Sequence, residues 1–224
     1  VEQGNVEKLW DKSIKWNAGS NLVTAQNRMP LFLCPSAPPD RMIPTSGATA
    51  GLSLGGLDYL VMHQVRNRYY LANGLVNPSG TSDLNYGAMQ NGTKTPILSI
   101  SDGTSNTILF MEAGARPSHY VLGRSTGVTV PSNEGYGWAD PDSGSGSLDG
   151  TNPTTGAVNT DAAYSGGTCV MNCNNDSEPY GFHTGGMNVA MADGSVRFIR
   201  NSTNAATFAA LVTRQGGETI TGDN

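Results

Sequence analysis

The sequence predicts an α+β fold in which helices flank an antiparallel β-sheet. Apolar residues recur at helical spacing near both ends of the chain, and short alternating or β-branched runs lie between them. These runs are joined by turns, whereas parallel strands need long crossover connections, so antiparallel pairing is favoured. At 224 residues the chain is expected to form a single domain, residues 1–224, with a substantial core.

The first sixteen residues are predicted to form a helix. Their apolar side chains recur three or four positions apart, which places them on one helical face. Acidic residues near the start favour a helix N-terminus through the helix dipole. The apolar residues are Val6, Leu9, Trp10 and Ile14, and the acidic ones are Glu2 and Glu7.

The next segments give weaker signals. Residues 21–28 are expected to add a turn or two of helix, and residues 29–34 to form a strand that stops at Pro35, which cannot donate to a ladder. Glycine and Asn/Pro turns interrupt residues 35–95. Within that segment, residues 57–71 fit either a helix or a strand.

The middle of the chain is predicted to hold two strands and a long loop. Residues 96–100 and 107–113 favour strands joined by a turn at 102–106, because β-branched and large apolar residues predominate in the second run. Residues 131–168 are rich in Gly, Ser, Asp, Asn and Thr and have few apolar anchors. A loop of this length is functional, ligand-bound or mobile.

A β-hairpin is predicted at residues 186–200. Its turn is Asp193–Gly194, since both residue types adopt positive φ readily. A two-residue loop would put four apolar residues on one face, which we expect to be buried. The expected pairs are Met191 with Val196 and Val189 with Phe198.

The chain is predicted to end in a helix at residues 203–214 and an edge strand at 218–221. Thr203 or Asn204 is the expected N-cap and Gly216 the expected stop. The apolar face consists of Phe208, Leu211 and Val212.

The composition favours a loop-rich protein that works outside the cytoplasm. Hydrophobic residues make up 37% of the chain and charged residues 14%. The net charge of −5 and the scattered Lys and Arg argue against nucleic-acid binding, which needs clustered cations. No apolar run approaches the eighteen residues of a transmembrane helix.

Six motifs resemble those of one known family. A histidine, nine residues and Asp-Gly form the hairpin signature, and five further motifs span nearly the whole chain. They are Val1-Glu-Gln-Gly-Asn5, Leu31-Phe-Leu-Cys-Pro-Ser36, Ser101-Asp-Gly-Thr-Ser-Asn-Thr-Ile108 followed by Glu112, Met171-Asn-Cys173 with Glu178-Pro-Tyr-Gly-Phe-His183, and Thr213-Arg-Gln-Gly-Gly-Glu218. Together they resemble the DUF1559, or H-x9-DG, family of planctomycete-type pilin-like secreted proteins.

The resemblance implies a pilin-like architecture in the bacterial envelope. On this basis an N-terminal helix would pack on an antiparallel sheet with long loops and a C-terminal hairpin plus helix. The domain would be secreted, periplasmic or at the cell surface, and would assemble with itself or other pilin-like subunits. Family members begin with a prepilin-type signal and a long apolar helix. The resemblance therefore also implies that this anchor helix has been removed or omitted before Val1, and that membrane contact would occur only through the missing helix.

His183 and Asp193 are candidate metal ligands or an acid/base pair. They are ten residues apart across a hairpin arm, and so would lie at opposite ends of a strand roughly 20 Å long, at about 3.3 Å per residue. Asp193 is therefore interpreted as a turn residue, and His183 as a side chain that caps a loop or bonds the sheet.

The Asp102–Asn106 motif permits two interpretations. Asp, Gly, Ser and Asn favour a turn with side-chain bonds to nearby backbone, with Gly103 at positive φ. Alternatively Asp102 and Asn106 could bind a cation with Glu112 in support, because these are oxygen ligands.

A second cation site is possible in the glycine-rich loop. Its aspartates begin like a calcium loop but depart from the EF-hand pattern at Gly144 and Thr151. The candidate calcium ligands are Asp140, Asp142, Asp149 and Asp161.

Three cysteines are present. Cys169 and Cys173 are four residues apart and could form a local disulfide in an oxidising compartment. Cys34 lies in an apolar run and is interpreted as a small buried hydrophobe.

No nucleophile motif, zinc-protease motif or phosphate loop occurs, and His63, His119 and His183 lack obvious nucleophile partners. We therefore expect a non-enzymatic assembly protein of the envelope. A surface carbohydrate-binding module, with Trp138 as the contact to a polysaccharide, is the second hypothesis, and a metal-assisted hydrolase the third. Trp10 and Trp16 are assigned to the core or an interface.

Overall fold

The computed structural model describes residues 3–39, 41–45, 51–82, 85–90, 92–130, 137–141, 145–158 and 164–218. The α-helices there are α1 (Gly4–Glu7), α2 (Gly19–Ala25), α3 (Asn67–Ala72) and α4 (Ala205–Val212). The strands are β1 (Met42–Pro44), β2 (Ser53–Gly55), β3 (Tyr59–Val65), β4 (Asn85–Tyr86), β5 (Ile108–Glu112), β6 (Ser118–Val121), β7 (Arg124–Thr129), β8 (Ser145–Leu148), β9 (Gly186–Met191) and β10 (Val196–Arg200). The predicted α+β class is confirmed.

One main sheet organises the molecule. Its strand order is β10-β9-β5-β3-β4 with antiparallel neighbours, and two small sheets pair β1 with β2 and β6 with β7. The expectation of purely antiparallel pairing is wrong at one point, because β8 pairs with β3 in parallel. The long connection between these two strands makes the parallel pairing possible.

The core lies between the main sheet and α4. Phe208 and Leu211 of α4 are fully buried, and α4 contacts β3. Each such side chain stabilises the fold by about 1.5–3 kcal/mol. From the sheet and its flanking segments the core receives Leu60, Met62, Val65, Tyr69, Tyr70, Ile108, Met111, Met187, Val189, Met191 and Ile199.

The C-terminal helix begins where the sequence indicates. Asn204 is the N-cap, and its side-chain oxygen accepts a hydrogen bond from the Thr207 N–H at 2.8 Å. This bond satisfies one of the N–H groups that the first helical turn leaves unpaired. Of the predicted edge strand at 218–221, all but Glu218 lies outside the described residues.

The predicted hairpin is present, but its predicted register is wrong. Met191 N–H donates to the Ser195 carbonyl at 2.8 Å, so three residues form the loop, with Gly194 at φ 88°. This common loop type shifts the second strand by one residue, which turns Val196 and Phe198 outwards, 70% and 46% exposed. The observed pairs include Val196 with Ala190, Arg197 with Val189 and Phe198 with Asn188.

The predicted N-terminal helix is largely absent. α1 covers four residues and buries none, and Leu9 and Ile14 are 57% and 39% exposed. The following turns are held by buried Asn21, which accepts from the Asp11 N–H at 2.7 Å and donates to the Asp11 carbonyl at 2.8 Å. Leu9 and Ile14 therefore do not anchor a helix in the core, and a short helix is marginal without such packing. The helix packed on the main sheet is therefore the C-terminal α4.

Two predicted strands are 3-10 turns instead. Residues 29–34 contain the turn Pro30–Phe32, and residues 96–100 contain Ile97–Ser99. A proline opens or precedes each turn, fixing φ and removing a ladder donor. Leu98 is 93% exposed, so this segment covers no sheet surface.

The segment 131–168 is more ordered than a single long loop. It contains β8, whose Leu148 is fully buried in the core. Thr151 also bridges to Cys169 in an isolated antiparallel pair. Within the described residues, no helix is both long and apolar enough to cross a bilayer.

Asp149 of this segment lies next to a second buried carboxyl group, that of Glu178. Asp149 forms an ion pair with Arg68 over 2.7 Å, and Glu178 Oε1 accepts the Asp149 N–H at 3.1 Å. Burial raises the pKa of Glu178 well above its usual range, and the nearby Asp149 carboxylate raises it further. Folded Glu178 therefore keeps its proton at a pH where the unfolded chain has lost it.

The wild-type protein should lose stability as pH rises, because folded Glu178 stays protonated, and Glu178→Gln should abolish this loss. Above the unfolded pKa of about 4.3 the unfolded state ionises and the folded state does not, so stability falls by up to about 1.4 kcal/mol per pH unit. Urea unfolding of both proteins between pH 4 and 8 should show the variant gaining on the wild type as pH rises. Glu7→Gln, at an exposed site, is the control; a pH-independent difference for Glu178→Gln would contradict the expectation.

Candidate functional site

Three segments that are distant in sequence bring a thiol, a carboxylate and an imidazole together. Cys34 follows the 3-10 turn at Pro30–Phe32, Glu112 ends β5, and His183 precedes β9. One ligand atom from each lies within 4.8 Å of the others. Cys34 and Glu112 are buried, whereas the His183 side chain is 25% exposed. The cluster therefore combines a buried base with access from the surface.

Asp58 fixes the position of Cys34. Its Oδ2 accepts the Cys34 N–H at 2.8 Å and its Oδ1 accepts the Ala115 N–H at 3.1 Å. Arg41 forms a buried ion pair with the same carboxylate. Asp58 thus ties the segment that carries Cys34 to the end of β5 that carries Glu112.

The neighbouring strand β9 orients Glu112. Its Oε2 accepts the Asn188 N–H at 3.1 Å, which leaves Oε1 facing His183 Nε2 at 2.9 Å. Gly181 leaves the room this carboxylate needs, since a Cβ at that position would lie 2.5 Å from Oε2.

The two ring nitrogens of His183 have different numbers of polar neighbours. Nε2 faces Glu112 Oε1, and it also faces Cys34 Sγ at 3.6 Å and Asn188 Nδ2 at 3.0 Å. Nδ1 faces Ser36 Oγ at 3.3 Å. In a nucleophilic relay the thiol and the carboxylate contact different ring nitrogens. Here both contact the same one, so the geometry differs from a Cys-His-acid triad.

Burial governs the ionisation of the neighbouring groups. It raises the pKa of the Cys34 thiol, and the charge of Glu112 adds to the effect. Burial likewise raises the pKa of Tyr59 to about 12, with Cys34 and Glu112 as further causes. The thiol is therefore protonated near neutral pH and is a weak nucleophile.

A cavity of about 410 Å³ opens onto the cluster. Apolar side chains form most of its wall, and Asn188 adds an amide. The lining residues are Cys34, Pro35, Tyr59, Phe110, Glu112, His183, Asn188, Val189, Ala190 and Val196.

Trp138 lies in a second, aromatic cleft of about 500 Å³. Its ring centroid is 5.7 Å from that of Trp10 and 6.2 Å from that of Phe32. Its indole N–H donates to the Asn27 carbonyl at 2.8 Å, which fixes the ring. Trp10, assigned to the core or an interface from sequence, also lines this cleft, whereas Trp16 packs against a small separate core cluster.

The Asp102 motif does not meet Glu112. Both Asp102 carboxylate oxygens accept backbone N–H groups, from Gly216 at 2.7 Å and Gly217 at 3.2 Å. Asn106 donates to the Asp102 carbonyl at 3.1 Å, as in a local turn. Glu112 lies at the far end of β5, about 13 Å from its start at 3.3 Å per residue, and binds His183 instead. A cation site at Asp102 and Asn106 with support from Glu112 stays a prediction.

The predicted turn residue Asp193 is exposed in the hairpin loop. Its Oδ1 accepts from the Ser195 N–H at 2.9 Å and from the Ser195 hydroxyl at 2.7 Å. These bonds lower the pKa of Asp193. They show a structural use for the aspartate at a distance from His183.

The proposed calcium ligands are only partly described. Asp142 and Asp161 lie outside the described residues, and Asp140 follows the Gly137–Trp138 turn. Asp149 is fully buried and paired with Arg68, a cation already supplied by the chain. Calcium binding by the four residues together stays a prediction. Cys169 and Cys173 form a disulfide.

The sequence matches one protein family over most of its length. A family model described as "Protein of unknown function (DUF1559)" matches residues 1–206. The chain belongs to this family. No curated protein and no solved structure matches it.

Three of the motifs that resemble this DUF1559 family supply the three cluster residues. Cys34 comes from the Leu31–Ser36 motif, Glu112 from the motif that begins at Ser101, and His183 from the hairpin signature. Sequence reasoning missed this convergence. It interpreted Cys34 as a plain hydrophobe and found no nucleophile partner for His183, yet the thiol lies 3.6 Å from that ring. The available signal was the odd cysteine left after Cys169 and Cys173 pair.

Asp58→Asn should destabilise the protein by about 3–5 kcal/mol, because it leaves Arg41 buried without its counter-charge. The matched control is Glu7→Gln, which breaks the exposed pair with Lys12 and should cost less than about 1 kcal/mol. Urea denaturation at pH 7 measures both. Similar losses in the two variants would refute a special role for the buried pair.

Proposed function

We propose that this chain is the exported domain of a pilin- or pseudopilin-like subunit, and that it assembles with other copies or related subunits in the bacterial envelope. Catalysis is not part of this role. The observation that carries the proposal is an exposed apolar patch on one face of the main sheet, which reaches the edge strand β10.

The patch consists of residues that lie opposite one another on neighbouring strands. Phe110 on β5 pairs with Ala190 on β9, which pairs with Val196 on β10. In the next row Asn188 pairs with Phe198. Phe110, Val196 and Phe198 are 41%, 70% and 46% exposed. The patch therefore extends across three strands on the face opposite the core.

The edge strand β10 is suited to association with a copy of this chain. β10 pairs on one side with β9, and its other side is open in the described part of the chain. Such edges pair with further strands unless charge or bulges blunt them. Arg197 and Arg200 lie on β10, so a subunit surface that supplies carboxylates would complement this edge.

The disulfide supports an exported location. Disulfides persist in oxidising compartments and are rare in the bacterial cytoplasm. Cys169–Cys173 closes a loop of a few residues beside the Thr151 bridge. This agrees with the periplasmic or surface setting that the family resemblance implies.

Phe198→Arg should weaken self-association at least about 10-fold, since a charge replaces an apolar side chain of the patch. The control is Val128→Arg, because Val128 is also an exposed strand residue, 62% accessible, but lies on β7. Sedimentation velocity over a concentration series measures both. Equal effects of the two variants would argue against this face.

Assembly itself is tested in the native cell envelope by electron microscopy with an antibody against this domain. Labelled filaments or a regular lattice would support the proposal. Diffuse, isolated labelling would overturn it.

A second candidate function is carbohydrate binding in the aromatic cleft. Trp10, Phe32 and Trp138 supply ring faces, and Gln3 and Glu7 supply polar groups on the rim. Apolar faces with a few polar groups suit a small ligand such as a sugar unit of a polysaccharide.

Trp10→Ala should weaken polysaccharide binding about 2- to 12-fold, from the 0.5–1.5 kcal/mol of an aromatic contact. Tryptophan fluorescence titration with purified polysaccharides measures it, and Trp16→Phe, outside the cleft, is the control. Absence of any saturable signal in the wild type would exclude this function for the sugars tested.

A further inference from the structure

We propose that Cys34, Glu112 and His183 form a binding site for one zinc-class divalent ion, with a fourth coordination position open to the cavity. This inference is independent of the proposed assembly role. It rests on the spacing of the three ligand atoms, on the crowding of His183 Nε2, and on the groups that hold each ligand in place.

The ligand spacing fits one face of a tetrahedron. Zinc lies about 2.3 Å from sulfur and 2.0–2.2 Å from nitrogen or oxygen, so tetrahedral ligands are about 3.4–3.6 Å apart. Cys34 Sγ is 3.6 Å from His183 Nε2 and 3.5 Å from Glu112 Oε1. The remaining edge, from Nε2 to Oε1, is 2.9 Å. Insertion of the ion requires this edge to lengthen by about 0.5 Å.

The crowding around Nε2 points to the same centre. An imidazole nitrogen carries either one proton or one lone pair, so it makes one good hydrogen bond. Three polar atoms nevertheless approach Nε2, from Cys34, Glu112 and Asn188. A cation placed among the thiolate, the carboxylate and the lone pair would bond to all three directly. Asn188 Nδ2 would then give up its bond to the ring.

Each ligand is already oriented by an outer partner. Asp58 accepts the Cys34 backbone N–H, the Asn188 backbone N–H binds Glu112 Oε2, and Ser36 Oγ faces His183 Nδ1. When Nδ1–H donates to Ser36 Oγ, the lone pair of Nε2 points at the space between the three ligand atoms, where the ion would lie. Outer partners of this kind fix the tautomer and direction of metal ligands.

The donor set selects the class of metal. A thiolate with an imidazole suits zinc, whereas calcium and magnesium prefer oxygen ligands alone. Three protein ligands leave one position, which opens to the 410 Å³ cavity and would hold water or a ligand atom. Such a site is exchangeable, unlike a closed four-ligand structural site.

Cobalt(II) is the probe for this site. It substitutes for zinc, and thiolate coordination gives it a near-ultraviolet charge-transfer band. Because Cys169 and Cys173 are bonded to each other, Cys34 is the one thiol available, so any such band reports Cys34. We expect one equivalent of cobalt to release the thiol proton and to produce the band with tetrahedral visible absorption. One equivalent of zinc should then displace the cobalt and abolish the band.

Four variants decide the assignment. Cys34→Ala should abolish the band. His183→Gln and Glu112→Gln should weaken zinc binding, measured by competition, at least about 100-fold, because loss of an outer partner alone costs 10- to 100-fold. Ser36→Ala should fall in that smaller range. The proposal is overturned if wild-type protein gives no thiolate band, or if His183→Gln binds zinc like the wild type.

Two control variants distinguish binding at this cluster from binding at another histidine and from an effect of assembly. His119→Gln removes a histidine that bonds Asn174 elsewhere, and it should bind zinc unchanged. Phe198→Arg should also bind zinc unchanged, so failure of the assembly proposal would leave this result intact. Circular dichroism of every variant confirms folding, and a loss of binding equal in His119→Gln and His183→Gln would reject the site.

Discussion

The buried carboxylate of Asp58 is the contact on which the rest of the structure depends. It joins the Cys34 segment, the start of β3 and the end of β5 through two backbone N–H groups and the Arg41 guanidinium. Because α1 buries none of its residues, the N-terminal segment depends on contacts from later residues, and the Trp138 N–H bond to the Asn27 carbonyl is another of these. A buried charge needs all its partners at once. Its position therefore specifies where the thiol lies relative to the sheet.

The two faces of the main sheet differ: one forms the core, and the other carries the Cys34–Glu112–His183 cluster. One face packs against α4 and supplies stability through fully buried residues such as Phe208 and Met187. The other face carries the Cys34–Glu112–His183 cluster and, beside it, the exposed row that ends at Val196. Val196 lines the cavity as well. The proposed metal site and the proposed subunit contact thus share one surface of the sheet.

Sequence reasoning succeeded where local chemistry decides the structure. The hairpin turn, strand β5 and the Asn204 cap each follow from a few adjacent residues. It failed where burial decides, as in the first sixteen residues, whose helical spacing meets no core. It also failed for the hairpin register, because a two-residue and a three-residue loop are both compatible with Ala192–Asp193–Gly194. The cluster was missed because its residues are about seventy or more positions apart, with separations of 78 and 71.

The number of residues in strand β9 decides which side chains face the core and which face the cluster. With its six residues it brings the Asn188 N–H to Glu112, sets Ala190 opposite Phe110, and leaves the preceding imidazole beside Cys34. Side chains along a strand alternate between faces. With five or seven residues, the strand positions before the change would exchange faces, and the residue that now meets Glu112 would lie on the core side. Whether the number of residues before the Asp-Gly turn is odd or even therefore matters as much as how many there are.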